Sequence, residues 1–153
     1  ADFLNDMVAW NATVLVSDSG AGRIYRLTGD EVDVWLEDER LAGVNGLTGD
    51  GDRLLIATMS SGSLYSVTEA MELQEIASGM VNADGIGVIE GGYLVSSWPG
   101  QIFHVSEGGE VSQALDTRSQ STFQNDLTIL NETVIVPNWM PGTVTVWKVD
   151  SAD

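Results

Sequence analysis

The sequence contains no cysteine and a single lysine, Lys148, among only six basic residues. Without cysteine neither a disulfide nor a thiolate zinc site exists, and the redox compartment is left open. No run approaches the eighteen or so apolar residues of a membrane-spanning helix. No segment shows a 3.6-residue apolar period that would mark an amphipathic helix. Against the six basic residues stand 23 acidic ones, a formal net charge of -17. Such a surface is a poor partner for nucleic acid or an anionic membrane and a good one for cations. A solvated acidic shell suited to a salty habitat also explains it. The chain opens Ala1-Asp2-Phe3, without an initiator Met or a signal-peptide pattern, which predicts a processed chain or part of a longer one.

What is abundant is glycine, 17 of 153 residues, alongside 43% hydrophobic residues. That balance suits strands and turns. An internal repeat of about forty residues organises them. Asn5-Asp6-Met7-Val8, Asn45-Gly46-Leu47-Thr48, Asp84-Gly85-Ile86-Gly87 and Asn125-Asp126-Leu127-Thr128 recur at spacings of 40, 39 and 41. Each is followed by a β-rich run: Thr13–Ser17, Leu54–Thr58, Tyr93–Ser97 and Thr133–Pro137. A glycine then precedes an alternating strand at Ile24–Leu27, Leu64–Val67, Ile102–Val105 and Val144–Trp147. The first three repeats add a fourth strand around Val32–Leu36, Leu73–Ala77 and Val111–Leu115.

Four short strands per unit, joined by tight turns, make an up-and-down antiparallel sheet that must stack on its neighbours. The fold class is therefore all-β, a β-propeller of four blades at about 3–40, 41–79, 80–120 and 121–153. The fourth repeat ends after its third strand, so its blade has three strands. Ala1–Leu4 are too short to supply the missing one. An open arc belonging to a six-bladed ring is expected, with the first blade's outer apolar face and the last blade's sheet edge exposed. Val14, Ile24, Leu55, Leu64, Leu94, Ile102 and Val134 are the expected interblade core. The exposed ends predict an outside partner, either the missing N-terminal blades or another chain.

Antiparallel pairing places Asn5, Asn45, Asp84 and Asn125 on one face, at the mouth of the central channel, with Asp18, Thr58, Trp98 and Trp139. Converging amide and carboxylate oxygens are what calcium requires. Asn-Gly and Asp-Gly are also ordinary turn dipeptides, and the two readings are evenly matched. Asp follows the motif residue in two of the four repeats, which a pure turn signal does not favour. Asp18 is a candidate general base or a turn cap. Trp98 and Trp139 are candidate walls of a substrate pocket or plain blade packing. His104, the only histidine, lies mid-strand away from the channel and reads as structural. Asn11-Ala12-Thr13 and Asn131-Glu132-Thr133 are glycosylation acceptor patterns, which favour a secreted or periplasmic location over a cytoplasmic one.

The stretches LNDMVAWNATVLVSDSGAGRIYRL, GVNGLTGDGDRLLIAT and ADGIGVIEGGYLVSSWPGQIFHV resemble the SMP-30/gluconolactonase/luciferin-regenerating-enzyme family of six-bladed propellers. That family holds a catalytic calcium or other divalent ion with a first-blade Glu, middle-blade Asn residues and an Asp. The resemblance implies Asn45 and Asp84 as metal ligands, Asp84 also as a catalytic group, Asn5 as ligand or substrate contact, and Asn125 as a further ligand candidate. The first-blade Glu has no counterpart, which implies about two blades upstream. The implied activity is divalent-metal-dependent hydrolysis of lactones or related esters, acting on a small-molecule substrate. The alternative is a non-catalytic propeller that serves as a binding platform.

Overall fold

The computed structural model describes residues 1–149. Strands β1 (Leu4–Trp10), β2 (Thr13–Asp18), β3 (Arg23–Thr28) and β4 (Glu31–Glu37) form the first sheet. The second comprises β5 (Val44–Asp50), β6 (Arg53–Thr58), β7 (Ser63–Val67) and β8 (Gln74–Ala77). The third comprises β9 (Ala83–Ile89), β10 (Gly92–Ser97), β11 (Gln101–Ser106) and β12 (Val111–Asp116). In the fourth, β13 (Phe123–Gln124) and β14 (Thr128–Leu130) both pair with β15 (Thr133–Met140), which also pairs with β16 (Thr143–Lys148). The two short pieces are one interrupted inner strand, so this blade is three strands deep. All neighbours are antiparallel and in chain order, the up-and-down pattern of a β-propeller.

Local chemistry explains the hairpins. Asn11 and Ala12, like Asn131 and Glu132, all have positive φ. Two left-handed residues in succession give the turn whose twist matches that of the flanking strands, and Asn is among the residues that tolerate it best. Asp38 caps a single turn of 3-10 helix at Glu39–Leu41, its side chain accepting from the Arg40 N–H.

Three apolar layers bind the four blades. Leu15, Ile24 and Leu36 of the first meet Leu54, Ile56, Tyr65 and Val67 of the second. Leu55, Ala57, Leu64 and Ala77 meet Tyr93, Val95 and Val105. Leu94 and Ile102 meet Leu127, Val134 and Val136 in the smallest layer. The alternation within each strand puts successive residues into different layers, as Leu54, Leu55 and Ile56 illustrate.

Val14 departs from expectation. Cross-strand registers align Ala9, Val14, Leu27 and Val32 in one row and Met7, Val16, Tyr25 and Val34 in the next. Both rows lie on the face of the first blade turned away from the second, so Leu15, not Val14, enters the core. Met7 is 68% exposed and Val32 64%. Among the described residues no strand of the first blade pairs with the fourth.

Candidate functional site

The four recurring Asn/Asp motifs are β-bulges. Leu4 pairs with Asp18 and Met7 with Val16, so three steps on β1 answer two on β2. The same slip occurs between Val44 and Leu47 on β5, and between Ala83 and Ile86 on β9. In the fourth blade it is the gap between β13 and β14. A bulge turns a side chain out of the sheet's regular alternation, and here it does so on all four inner strands at one end of the channel. Serine holds two of the bulges: the Asp6 N–H donates to Ser17 Oγ at 2.9 Å and the Gly85 N–H to Ser96 Oγ at 2.8 Å. Ser96 Oγ in turn donates to the Asn125 carbonyl across the blade boundary.

The second motif position runs Asp6, Gly46, Gly85, Asp126, and the structure gives the reason. A Cβ on Gly85 would stand 1.8 Å from Asp126 Oδ1, and one on Gly46 2.1 Å from the Asp84 carbonyl. Gly85 thus makes room for the Asp126 carboxylate of the fourth blade, and Gly46 for the close approach of the third blade's backbone. Asp6 Oδ2 reaches over to accept the Leu47 N–H at 2.7 Å, and Asp126 Oδ1 accepts the Leu127 N–H at 2.6 Å.

Asp6, Asp84 and Asp126 lie near enough to feel one another's charge. Burial pushes Asp84 up to about 7, with the charges of Asp126 and then Asp6 adding to the effect. Burial also raises Asp6, although the N–H groups of Leu47 and Met7 oppose it. Asp126 is raised by burial and by Asp6, against the Leu127 N–H. Asp84 is 7% exposed and Asn45 3%. Among the described residues no hydrogen bond reaches either side chain. Two buried polar groups without protein partners, at the same motif position in adjacent blades, are open to a ligand or water. Asp6, Leu47, Ile86 and Asp126 help to line a channel cavity of about 390 Å³, of whose lining Asp84 and Asn45 are not part.

The other expected residues are placed differently. Asn5 is exposed and its amide donates to Ser19 Oγ at 3.2 Å. Asn125 is exposed, with its backbone committed to Pro137 and Ser96. Asp18 is fully buried and accepts from the backbone N–H groups of Asp2, Phe3 and Ala21. Burial raises its carboxyl, but those three donors outweigh burial and hold it below the ordinary value. It anchors the chain's first residues and their turn, the capping role that the sequence offered as the alternative to a general base. Trp98 and Trp139 do come together, ring centres 6.3 Å apart and nearly perpendicular, with Phe123 against Trp98 at 6.1 Å. Trp139 is 70% exposed, so its ring is not buried in blade packing. His104 is half-buried on β11, away from the channel.

Asp6 and Asp126 were not among the residues assigned roles from sequence, although Asp in the place of Gly was their signal. Gln124 was also missed: it is entirely buried and neither polar atom of its side chain has a partner. Among the described residues, no three carboxylate, histidine or cysteine groups lie close enough to form a ready metal cage. A cation at this mouth would instead draw on Asp84 and the Asn45 amide oxygen, supplemented by water.

No family model matches the sequence, and no curated protein does. Solved structures do. The computationally designed Ika4 protein aligns at 13% identity with a TM-score of 0.69, over 97% of this chain and 92% of its own. A catalytically inactive virginiamycin B lyase from Staphylococcus aureus, solved with quinupristin, aligns at 11% identity and TM-score 0.68, over 97% of this chain and 56% of its own. Glutaminyl cyclase from Myxococcus xanthus aligns at 17% identity and TM-score 0.66, over 96% of this chain and 66% of its own. At these identities the likeness establishes the fold. The chain spans little more than half of the lyase's length.

Proposed function

We propose that the chain carries the cation-binding face of a propeller hydrolase that acts on lactones or related esters. The observation that carries this reading is Asp84, a buried carboxylate with no hydrogen-bond partner, flanked by Asp6 and Asp126 and accompanied by the equally unpartnered Asn45. A hard divalent ion, calcium by preference, accepts such oxygen donors and tolerates irregular geometry. When bound, it supplies Lewis acidity toward a carbonyl oxygen. The residues fit that group by chemistry: Asp84 and Asn45 leave oxygen donors without protein partners, and the charges of Asp126 and Asp6 act on Asp84. The resemblance to SMP-30-like proteins in the quoted motifs and the presence of enzymes among the structural neighbours support the same reading.

The chain's own groups have separable tasks. Asp84 and Asn45 hold the ion. Asp6 and Asp126, each tethered by a backbone N–H, fix the charge around it. Trp139 and Trp98 offer an apolar wall on the mouth face for the body of a small substrate. Asp84, poised near neutrality when no ion is present, is also the one group here matched to proton transfer at ordinary pH. Asn5 and Asn125 take outer positions, as contacts for water or substrate.

A second reading, a non-catalytic platform, draws on the open spacing of the three carboxylates. Hydrolysis of a panel of small γ- and δ-lactones, with calcium and then with excess EDTA, separates the two. The proposal expects activity that EDTA removes and that Asp84→Asn lowers at least a hundredfold. Absence of hydrolysis by a folded, calcium-loaded chain, or activity indifferent to EDTA, contradicts it.

A further inference from the structure

We propose a buried hydration site at the boundary between the third and fourth blades, in which ordered water donates to Gln124 Oε1 and Asn138 Oδ1 and accepts from Gln124 Nε2. Among the described residues four side-chain polar atoms are closed to solvent and have no partner, and these three are among them. Gln124 is entirely buried and Asn138 is 5% exposed. The two stand directly opposite one another on β13 and β15, so their side chains leave the sheet on the same face. That face is turned toward the third blade, because Val136 and Val134, alternate residues of the same strand, enter the third apolar layer with Leu94 and Ile102. Gln124 lies on the inner strand, with β15 and β16 between it and the blade's outer edge.

The preceding blades build the same place differently. Their corresponding pairs are Val44 with Thr58 and Ala83 with Ser97. There the inner residue is apolar and the hydroxyl is satisfied, Thr58 Oγ1 by Ser61 Oγ at 2.6 Å and Ser97 Oγ by the Val81 carbonyl. Leu41 and Met80, a short step ahead of Val44 and Ala83 in the chain, are fully buried in the same layers. Ser121, in the same place ahead of Gln124, is small and exposed. The fourth blade thus sets two amides, and no large apolar side chain, where the other boundaries are closed by hydrocarbon. Asn138 cannot turn its amide to make good the deficit. Its Nδ2 donates to Thr143 Oγ1 at 3.1 Å and Thr145 Oγ1 at 3.4 Å, and exchanging the amide's two ends would only leave N–H groups unmet in place of the oxygen. A buried amide without partners destabilises by more than a made hydrogen bond stabilises, and buried water commonly meets such groups. Two oxygens here require a donor and one nitrogen an acceptor, and water is both. A cation would leave the Gln124 N–H groups unmet, and an anion the two oxygens. The same register makes Trp139 the extra residue of a bulge, since Phe123 pairs with Met140 and Gln124 with Asn138, so the hydrated pair adjoins the turn-out of that ring.

Nuclear magnetic resonance of the nitrogen-labelled full chain tests this directly, with the Gln124 side-chain N–H signals assigned by their loss in Gln124→Met. Those signals are expected to show cross-peaks to water of opposite sign in NOESY and ROESY spectra, the mark of a long-lived water and not of proton exchange. Gln124→Met nearly conserves volume but strands Asn138 Oδ1 and the water, so Tm is expected to fall by about 4 °C. Absence of a long-lived water contact at Gln124 in the unaltered chain overturns the proposal. So does a Gln124→Met protein at least as stable as the unaltered chain, because replacing a dry, unsatisfied amide by hydrocarbon would not destabilise the fold.

Discussion

Stripped of divalent ions, the chain should lose stability as pH rises from about 4 to about 7, and Asp84 should account for most of the loss. Its carboxyl titrates at about 7 in the fold, against 3.8 ordinarily. Across that interval the folded chain keeps a proton that the unfolded chain has released, so unfolding becomes easier by about 1.4 kcal/mol per pH unit. Over the full interval the loss amounts to about 4 kcal/mol, absent below pH 4 and complete above the folded value. Asp6 and Asp126, also raised, act in the same direction. Asp38, held down to about 2 mainly by the Arg40 side chain, and Asp116, held low by Arg118, act oppositely but only below pH 4. Against a typical total of about 5–15 kcal/mol the effect is large. Urea unfolding followed by circular dichroism at half-unit steps from pH 4.5 to 8, in EDTA, measures it. Asp84→Asn should remove most of the slope and be the more stable protein at pH 8. Parallel pH profiles for the two proteins would refute the electrostatic picture of the channel mouth.

Other expectations follow from the same geometry. Gly85→Ala forces a Cβ onto Asp126 and the Leu127 backbone, so it should cost about 3 kcal/mol in urea unfolding, whereas Gly108→Ala, with only Ser106 Oγ nearby at 3.7 Å, should change stability by less than about 0.5 kcal/mol. Asp18→Ala strands three backbone donors, and a loss of about 2 kcal/mol, or roughly 4–8 °C in Tm, is expected with kcat for lactone hydrolysis unchanged; a collapse of kcat in a folded variant would restore Asp18 to the chemistry. Trp139→Ala should raise KM severalfold while leaving Tm and kcat in place, because its ring is largely exposed.

The fold was legible because its signals are local and repeated: β-branched runs, turn residues and spacing recur four times, and each copy corroborates the others. The interblade core was legible wherever a strand has blades on both sides. Val14 shows the limit, since the pattern cannot tell which face of a terminal blade has a neighbour. The site was half legible. The Asn/Asp positions stood out, but their common cause is a bulge, and one extra residue in a pairing register leaves no compositional trace. Asp6 became meaningful only with its reach to the Leu47 N–H of the next blade, and Asp126 with the close approach of Gly85. Asp18 and its three backbone donors illustrate the same point: a buried carboxylate satisfied by N–H groups from a distant segment looks, in sequence, like a carboxylate ready for chemistry.

Asp84 and Asn45 are proposed to bind a divalent cation at the channel mouth. Isothermal titration of the EDTA-treated, dialysed chain with calcium at pH 8 tests it most directly, alongside Asp84→Asn and Asn45→Ala. A saturable single site with Kd below about 1 mM is expected, weakened at least tenfold by Asp84→Asn and by a smaller factor by Asn45→Ala. Superimposable isotherms for all three proteins would contradict it.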